Sequence, residues 1–194
     1  TSCFYPIAWK DILEITPNQD AVVFTSTGID IPFGSNENLC VQAYRLLAKD
    51  FAIPPVHIHL HKQIPIGAGL GGGSADATFT LRGLNDLYDL KLSSEELQEY
   101  ARHLGSDCAF FVNNTPVIAV GKGDEFKGLD LDLSKYFIAL VYPAVHISTV
   151  VAYSGVSPEP EVVGLETCLN KPVKEWQGEV VNDFELSLSP DFEF

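Results

Sequence analysis

Between positions 67 and 73 five residues are glycine, inside the longer run Pro65-Ile66-Gly67-Ala68-Gly69-Leu70-Gly71-Gly72-Gly73-Ser74. No regular element tolerates such a run, because each glycine loses more backbone freedom on folding than any other residue. What glycine offers is a chain that can turn through positive φ, with N–H groups that approach a ligand unhindered by Cβ atoms. The pattern turns helical from Ala75, with Ala77, Leu81, Leu84 and Tyr88 on one side. The glycines therefore feed a helix start, where unpaired amides and the helix dipole favour an anion. Ser74 belongs to the first helical turn, where its hydroxyl can meet a phosphate oxygen or a Mg²⁺ ion. Residues 65–74 read as a phosphate loop, with a flexible surface loop as the plainer alternative.

The kind of phosphate loop follows from its neighbours. A Walker A loop needs Gly-Lys-Ser/Thr, and no lysine follows these glycines. Gly67-Ala68-Gly69-Leu70-Gly71-Gly72 matches Gly-x-Gly-x-x-Gly, but a dinucleotide fold also needs a strand ending in an acid about 20 residues on. Here that region is the end of one helix and the link to the next, so Asp86 and Asp89 are misplaced, and Pro65 interrupts the preceding strand.

The rest of the chain limits the partners. With 194 residues, 46% hydrophobic and 20% charged, it can bury a substantial core. A net charge of −14 disfavours nucleic acid and anionic membrane, while leaving room for an anion held by local amides and a metal ion. Cys3, Cys40, Cys108 and Cys168 form no Cys-x-x-Cys pair, which reads as reduced thiols in a cytoplasmic protein. Apolar runs such as 137–142 are too short to span a bilayer. The chain starts Thr1-Ser2-Cys3, contains no methionine and ends at Phe194, and it reads as a piece of a longer protein.

Along the chain, 4–15 and 21–26 read as strands joined by a turn at Pro17-Asn18-Gln19-Asp20. Asn36 or Asn38 caps a helix carrying Leu39, Ala43, Leu46 and Leu47, which Pro54-Pro55 ends. Val56-His57-Ile58-His59-Leu60-His61 alternates as a half-buried strand. Ser93-x-x-Glu96 is a capping box for a helix bearing Leu97, Tyr100, Ala101 and Leu104, and Gly105 stops it. Residues 117–120 and 136–142 read as strands, with a turn at Gly121-Lys122-Gly123-Asp124; 149–153 and 161–169 read as short helices. The class is α+β.

Residues 65–77, Pro-Ile-Gly-Ala-Gly-Leu-Gly-Gly-Gly-Ser-Ala-Asp-Ala, resemble the ATP-loop motif of the galactokinase, homoserine, mevalonate and phosphomevalonate kinase (GHMP) superfamily. Phe4-Tyr5-Pro6-Ile7, Asn38-Leu39, Leu104-Gly105-Ser106-Asp107, Gly121-Lys122-Gly123-Asp124, residues 143–153 and Asn182-Asp183-Phe184-Glu185 narrow the resemblance. They are similar to the branch acting on 4-diphosphocytidyl-2-C-methyl-D-erythritol in the non-mevalonate isoprenoid route. The resemblance implies a GHMP kinase fold. Residues 1–143 would be an N-terminal ATP-binding domain of the ribosomal protein S5 domain 2-like type, lacking its first strands. Residues 144–194 would begin a ferredoxin-like substrate-side domain. It also implies the 2-hydroxyl of that substrate as phosphoryl acceptor, with ATP and Mg²⁺ as cofactors.

Residue by residue, the resemblance makes Asp107 the catalytic aspartate and Pro65, Gly67, Gly69, Leu70, Gly71, Gly72, Gly73 and Ser74 the ATP loop. Asn38, Leu39 and Lys62 would line the adenosine pocket. Thr149 and Tyr153 fall on the substrate side, Tyr153 standing where the family has a phenylalanine that stacks on cytosine. The partner implied is a small molecule, with a homodimer left open. The family also has an N-terminal Asn-Ala-Lys strand, a Tyr-His pair and a C-terminal glycine-rich segment. Their absence leads to the expectation that the chain by itself lacks half an active site and is inactive. Another GHMP kinase, of the homoserine or mevalonate class, and a non-catalytic nucleotide-binding module remain alternatives.

Other residues have plainer uses. Asp107, between Gly105-Ser106 and the apolar run 108–112, is expected to be partly desolvated and could equally cap a helix. His57, His59 and His61 share one strand face but have no placed acidic or cysteine partner, so a solvated face is favoured over a metal site. Asp76, one turn into its helix, is expected to complement the dipole. Glu159, Glu161 and Glu166 read as a solvated helix face.

Overall fold

Alternation along one strand organises the centre of the molecule. In β4 (Val56–Lys62) the residues Val56, Ile58, Leu60 and Lys62 face inward and are buried, while His57, His59 and His61 are half-buried on the other face. β4 is the middle of a three-stranded sheet, antiparallel to β2 (Ile12–Pro17) and parallel to β3 (Val23–Gly28). The computed structural model describes residues 1–32, 34, 37–142, 149–156 and 164–188. A second three-stranded sheet is antiparallel, with β5 (Val117–Val120) between β1 (Ser2–Phe4) and β6 (Glu125–Gly128).

Helices cover the inward face of the β2-β4-β3 sheet. α1 (Leu39–Asp50) begins at Asn38, whose side-chain oxygen accepts the Cys40 amide at 2.8 Å, and the other candidate cap, Asn36, lies outside the described residues. α2 (Gly72–Leu87) and α3 (Ser94–Arg102) follow; the predicted capping box is formed, Glu96 accepting from the Ser93 amide and Ser93 from the Glu96 amide. The core joins Leu47 of α1, Leu81 and Leu84 of α2, Leu97 of α3, Ile58 and Leu60 of β4, and Cys108 just before, with Val112 within, the short α4 (Phe110–Asn113). Each such leucine removed from water is worth about 1.5–3 kcal/mol, so this is where α2 is fixed against the sheet. The mixture of layers is the expected α+β class.

Several elements differ from expectation. The stretch 4–15 is not one strand: Pro6 cannot donate to a ladder, and the chain leaves one sheet after Phe4 and enters the other at Ile12. β2 and β3 do not form a hairpin, because β4 lies between them. Residues 136–142 are not a strand: among the described residues nothing pairs with them, and Phe137, Ile138 and Val141 are strongly exposed. Apolar content suggested a ladder there, but a strand also needs a neighbour.

The later elements are α5 (Thr149–Ser154), α6 (Leu165–Leu169), a 3₁₀ turn at Val173–Glu175 and α7 (Asp183–Leu188). Residues 143–148 and 161–163, with Glu159 and Glu161, lie outside the described residues, so α6 answers only the end of the helix expected over 161–169. Its Glu166 pairs with Lys127 at 2.6 Å instead of standing as a purely solvated charge. Neither β6 nor α7 was expected. No helix among the described residues is long and apolar enough to cross a membrane.

Candidate functional site

The glycine run makes a sharply turned loop and then enters the helix earlier than its composition suggested. Gly67, Gly69 and Gly71 alternate through the left-handed region at φ 73°, 71° and 67°. Gly71 is the N-cap of α2, so Gly72, Gly73 and Ser74 are helical although two of them are glycines. Ala75 makes the return hydrogen bond to the Gly71 carbonyl at 2.9 Å. α2 has no side-chain cap and no acid in its first turn, which leaves its leading amides without a side-chain acceptor. At Gly72 the packing is tight: a Cβ would stand 3.0 Å from Ile64 Cγ2 and 3.1 Å from Lys62 Nζ, so these side chains would have to yield slightly.

Two cavities share this loop as a wall. The smaller, about 430 Å³, is enclosed by the whole run from Pro65 to Ser74 together with Asn38, Leu39 and Lys62. All eleven residues expected to hold the nucleotide thus face one space. The larger, about 1060 Å³, has Gly69, Leu70, Gly71 and Asp107 on its border with the aromatic side chains of Phe4, Tyr5, Trp9, Phe79, Phe110 and Phe111. Gly69, Leu70, Gly71 and Asp76 border both. A phosphate chain lying in the smaller cavity would end where the larger begins.

Asp107 is exposed on the wall of the larger cavity, neither desolvated nor a helix cap: the N-cap of α4 is Ala109, without a side-chain bond. Its carboxylate accepts a hydrogen bond from Ser106, whose Oγ donates to Oδ1 at 3.1 Å. The backbone beside it is fixed more firmly. Thr78, fully buried in α2, donates its hydroxyl to the Cys108 carbonyl at 2.7 Å and lies 2.9 Å from the Ser74 carbonyl. Phe111 packs so closely on Gly71 that a Cβ there would stand 2.9 Å from the ring. One helix therefore carries both the loop tip and the anchor of the Asp107 turn.

Beneath the loop is a charge cluster that the sequence reading missed. Lys62 Nζ donates to Asp11 Oδ2 at 2.6 Å and to Asp76 Oδ2 at 2.7 Å, and the three side chains are 4%, 4% and 8% exposed. Asp11 also accepts the amides of Gln63 at 2.5 Å and Ile64 at 2.9 Å. Burial pushes Asp76 up to about 6 against the opposing pull of Lys62. Burial also raises Asp11, but Lys62 and the Ile64 and Gln63 amides outweigh it and hold the carboxyl below its ordinary value. Burial alone would lower Lys62; the two carboxylates raise it instead. Asp76 is thus a buried ion-pair partner and not merely a dipole complement. The signal was present in β4, since Lys62 has the same parity as Val56, Ile58 and Leu60, and a lysine on an inward face needs a counter-charge.

The remaining candidates are placed less completely. Thr149 and Tyr153 belong to α5, but their side chains lie outside the description. The three histidines interleave with threonines of β3: Thr25 Oγ1 is 2.8 Å from His57 Nε2 and from His59 Nδ1, and Thr27 Oγ1 is 3.2 Å from His59 Nε2 and 3.0 Å from His61 Nδ1. They form a polar ladder across the sheet face, away from both cavities.

Comparison with known proteins agrees with this geometry. The profile of the GHMP kinases N terminal domain matches residues 38–115. The chain is 50% identical over 188 residues to the 4-diphosphocytidyl-2-C-methyl-D-erythritol kinase of Cytophaga hutchinsonii, covering 96% of this chain and 69% of that protein. It is 46% identical to the enzyme of the same name from Bacteroides fragilis, covering 97% and 70%. Among solved structures, a crystal structure of 4-(cytidine 5'-diphospho)-2C-methyl-D-erythritol kinase superposes with a TM-score of 0.70 at 28% identity, over 94% of this chain and 65% of that one. The fold extends to a homoserine kinase from Cytophaga hutchinsonii, TM-score 0.54 at 17% identity, over 92% of this chain and 57% of that one.

Proposed function

The chain belongs to the 4-diphosphocytidyl-2-C-methyl-D-erythritol kinase family, within the GHMP kinases, and from that premise we propose how its residues divide the transfer of a phosphoryl group from ATP to the 2-hydroxyl of that substrate. Residues 1–143 supply the nucleotide side and 144–194 begin the acceptor side. The adenosine lies against Asn38 and Leu39, and the phosphates lie across the amides of the 67–73 run and the tip of α2. Lys62 borders the cavity, yet its charge is already matched by two carboxylates, so the anion is held mainly by backbone donors and the helix dipole. A Mg²⁺ ion bound with the triphosphate would supply charge neutralisation on the transferring group, and Ser74 in the first turn of α2 is the residue whose hydroxyl would meet it. Among the described residues no group of three or more His, Cys, Asp or Glu is arranged as a metal cage.

Asp107 takes the proton of the acceptor hydroxyl while that oxygen attacks the γ-phosphorus; the bond to the β–γ bridging oxygen breaks and ADP leaves. Thr149 and Tyr153 are assigned to the acceptor, with the tyrosine ring stacking on cytosine. Most of the acceleration comes from placing donor and acceptor in line and from charge neutralisation. The enzyme acts on a small molecule in the cytoplasm.

The observation that carries this reading is the shared wall: Gly69, Leu70 and Gly71 separate the cavity of the loop from the cavity that holds Asp107. The test is Asp107→Asn in the intact protein, assayed with MgATP and the methylerythritol substrate. Turnover is expected to fall by about 10²–10⁴-fold while MgATP affinity stays within about twofold. Unchanged turnover removes Asp107 from the chemistry.

A further inference from the structure

The loop leaves β4 just after Lys62 and re-enters regular structure at Gly72, and both ends are tied to the same ammonium group. On the entry side Asp11 accepts from Lys62 Nζ and from the amides of Gln63 and Ile64, the two residues that lead into Pro65. On the exit side Asp76, in the second turn of α2, accepts from the same Nζ at 2.7 Å. Between them, the backbone of Gly72 packs close to the ammonium, such that an added methyl carbon would stand 3.1 Å from Nζ. Three segments far apart in sequence are thereby joined around one buried charge. Left-handed glycines make the intervening loop easy to bend and costly to order, so something outside it must fix its ends.

We propose that Lys62, gripped by Asp11 and Asp76, is a positioning residue for the phosphate loop: the brace sets where the tip of α2 and its free amides face the nucleotide cavity. This deepens, and rests on, the reading of that cavity as the ATP site. Lys62 is too deeply buried to act as an exposed counter-ion, and its effect passes through the loop it anchors. The two carboxylates have distinct parts, Asp11 holding the entry and Asp76 the helix.

The test compares Asp11→Asn and Asp76→Asn with the wild type, since asparagine keeps the shape and one acceptor oxygen while removing the charge. KM for MgATP is expected to rise about tenfold in each, the loss of a charge-assisted bond, with kcat changing less than about threefold. Exchange of the amides of residues 66–74 should quicken in ligand-free protein, and Lys62→Arg should retain more MgATP affinity than Lys62→Met. An unchanged KM in a folded variant overturns the brace, as does a fall in melting temperature and kcat with KM unmoved. Should the variants fail to fold, the wild type still decides: free-chain exchange rates across 66–74 without nucleotide would show no preset loop and refute the idea, whereas protection would support it. If wild-type protein does not bind MgATP at all, the cavity assignment fails, which is a different result from binding that is indifferent to the brace.

Discussion

Replacing Thr78 with valine should loosen the link between the glycine loop and Asp107, the proposed catalytic aspartate, while leaving both untouched. The hydroxyl of Thr78 lies 2.7 Å from the Cys108 carbonyl and 2.9 Å from that of Ser74, in a fully buried position. Valine has the same outline but puts a methyl where the hydroxyl was. A carbon needs roughly 3.4 Å from a carbonyl oxygen, so the Cys108 turn must retreat by about 0.7 Å or the side chain must rotate into an occupied core. The Cys108 carbonyl keeps the Phe111 amide at 3.1 Å, so it is not wholly orphaned. Lost bonding therefore costs about 1–2 kcal/mol, near the lower end of the range for a buried polar group, and crowding adds about 1 kcal/mol. For a chain of this size the melting temperature should drop by about 4–10 °C. Because Asp107 precedes the displaced residue, kcat should fall at least about tenfold, with KM for MgATP nearly constant. Thr78→Ser keeps the hydroxyl and should retain kcat, losing only the packing of one methyl. Calorimetry and steady-state kinetics on the three proteins check this. Equal melting temperature and equal turnover in Thr78→Val would refute the claim that α2 positions the Asp107 turn.

Two other outcomes follow from the geometry. Gly71→Ala should destabilise by about 2–4 kcal/mol, since it combines a left-handed backbone with a Cβ 2.9 Å from the Phe111 ring. Gly69→Ala, equally left-handed but facing open space, should cost only about 1–2 kcal/mol; equal losses in urea unfolding would refute the clash. Asp76 has its folded pKa raised from 3.8 to about 6, so the folded state binds its proton more tightly and this group's contribution declines as pH rises from about 4 to 6, by up to about 3 kcal/mol. Asp11, held low, contributes in the opposite sense, with stability lost as pH falls below 3.8 through its folded value. Unfolding free energies at pH 4.5, 5.5 and 7 should therefore show Asp76→Asn gaining on the wild type as pH rises, and a constant difference would contradict the raised value.

The family, the α+β class, the glycine loop and the helix behind it were legible in the order of residues alone, because glycine spacing, helical periodicity and the Ser93–Glu96 cap are local signals. Asn38, Leu39 and the loop converge on one cavity as expected, and α1, β4, α3 and β5 form where their patterns indicated. Residues 136–142 misled because apolar composition carries no information about whether a neighbouring strand exists. Asp76 misled because its position in the helix accounted for its charge well enough, while the decisive neighbour, Lys62, comes from another element. Only tertiary structure could put positions 11, 62 and 76 around one ammonium, place Asp107 on the wall of the cavity that shares Gly69, Leu70 and Gly71 with the loop cavity, and tie the turn after Asp107 to α2 through Thr78. Burial and ion pairing depend on which chain segments become neighbours in space, and that choice belongs to the packing of the whole core.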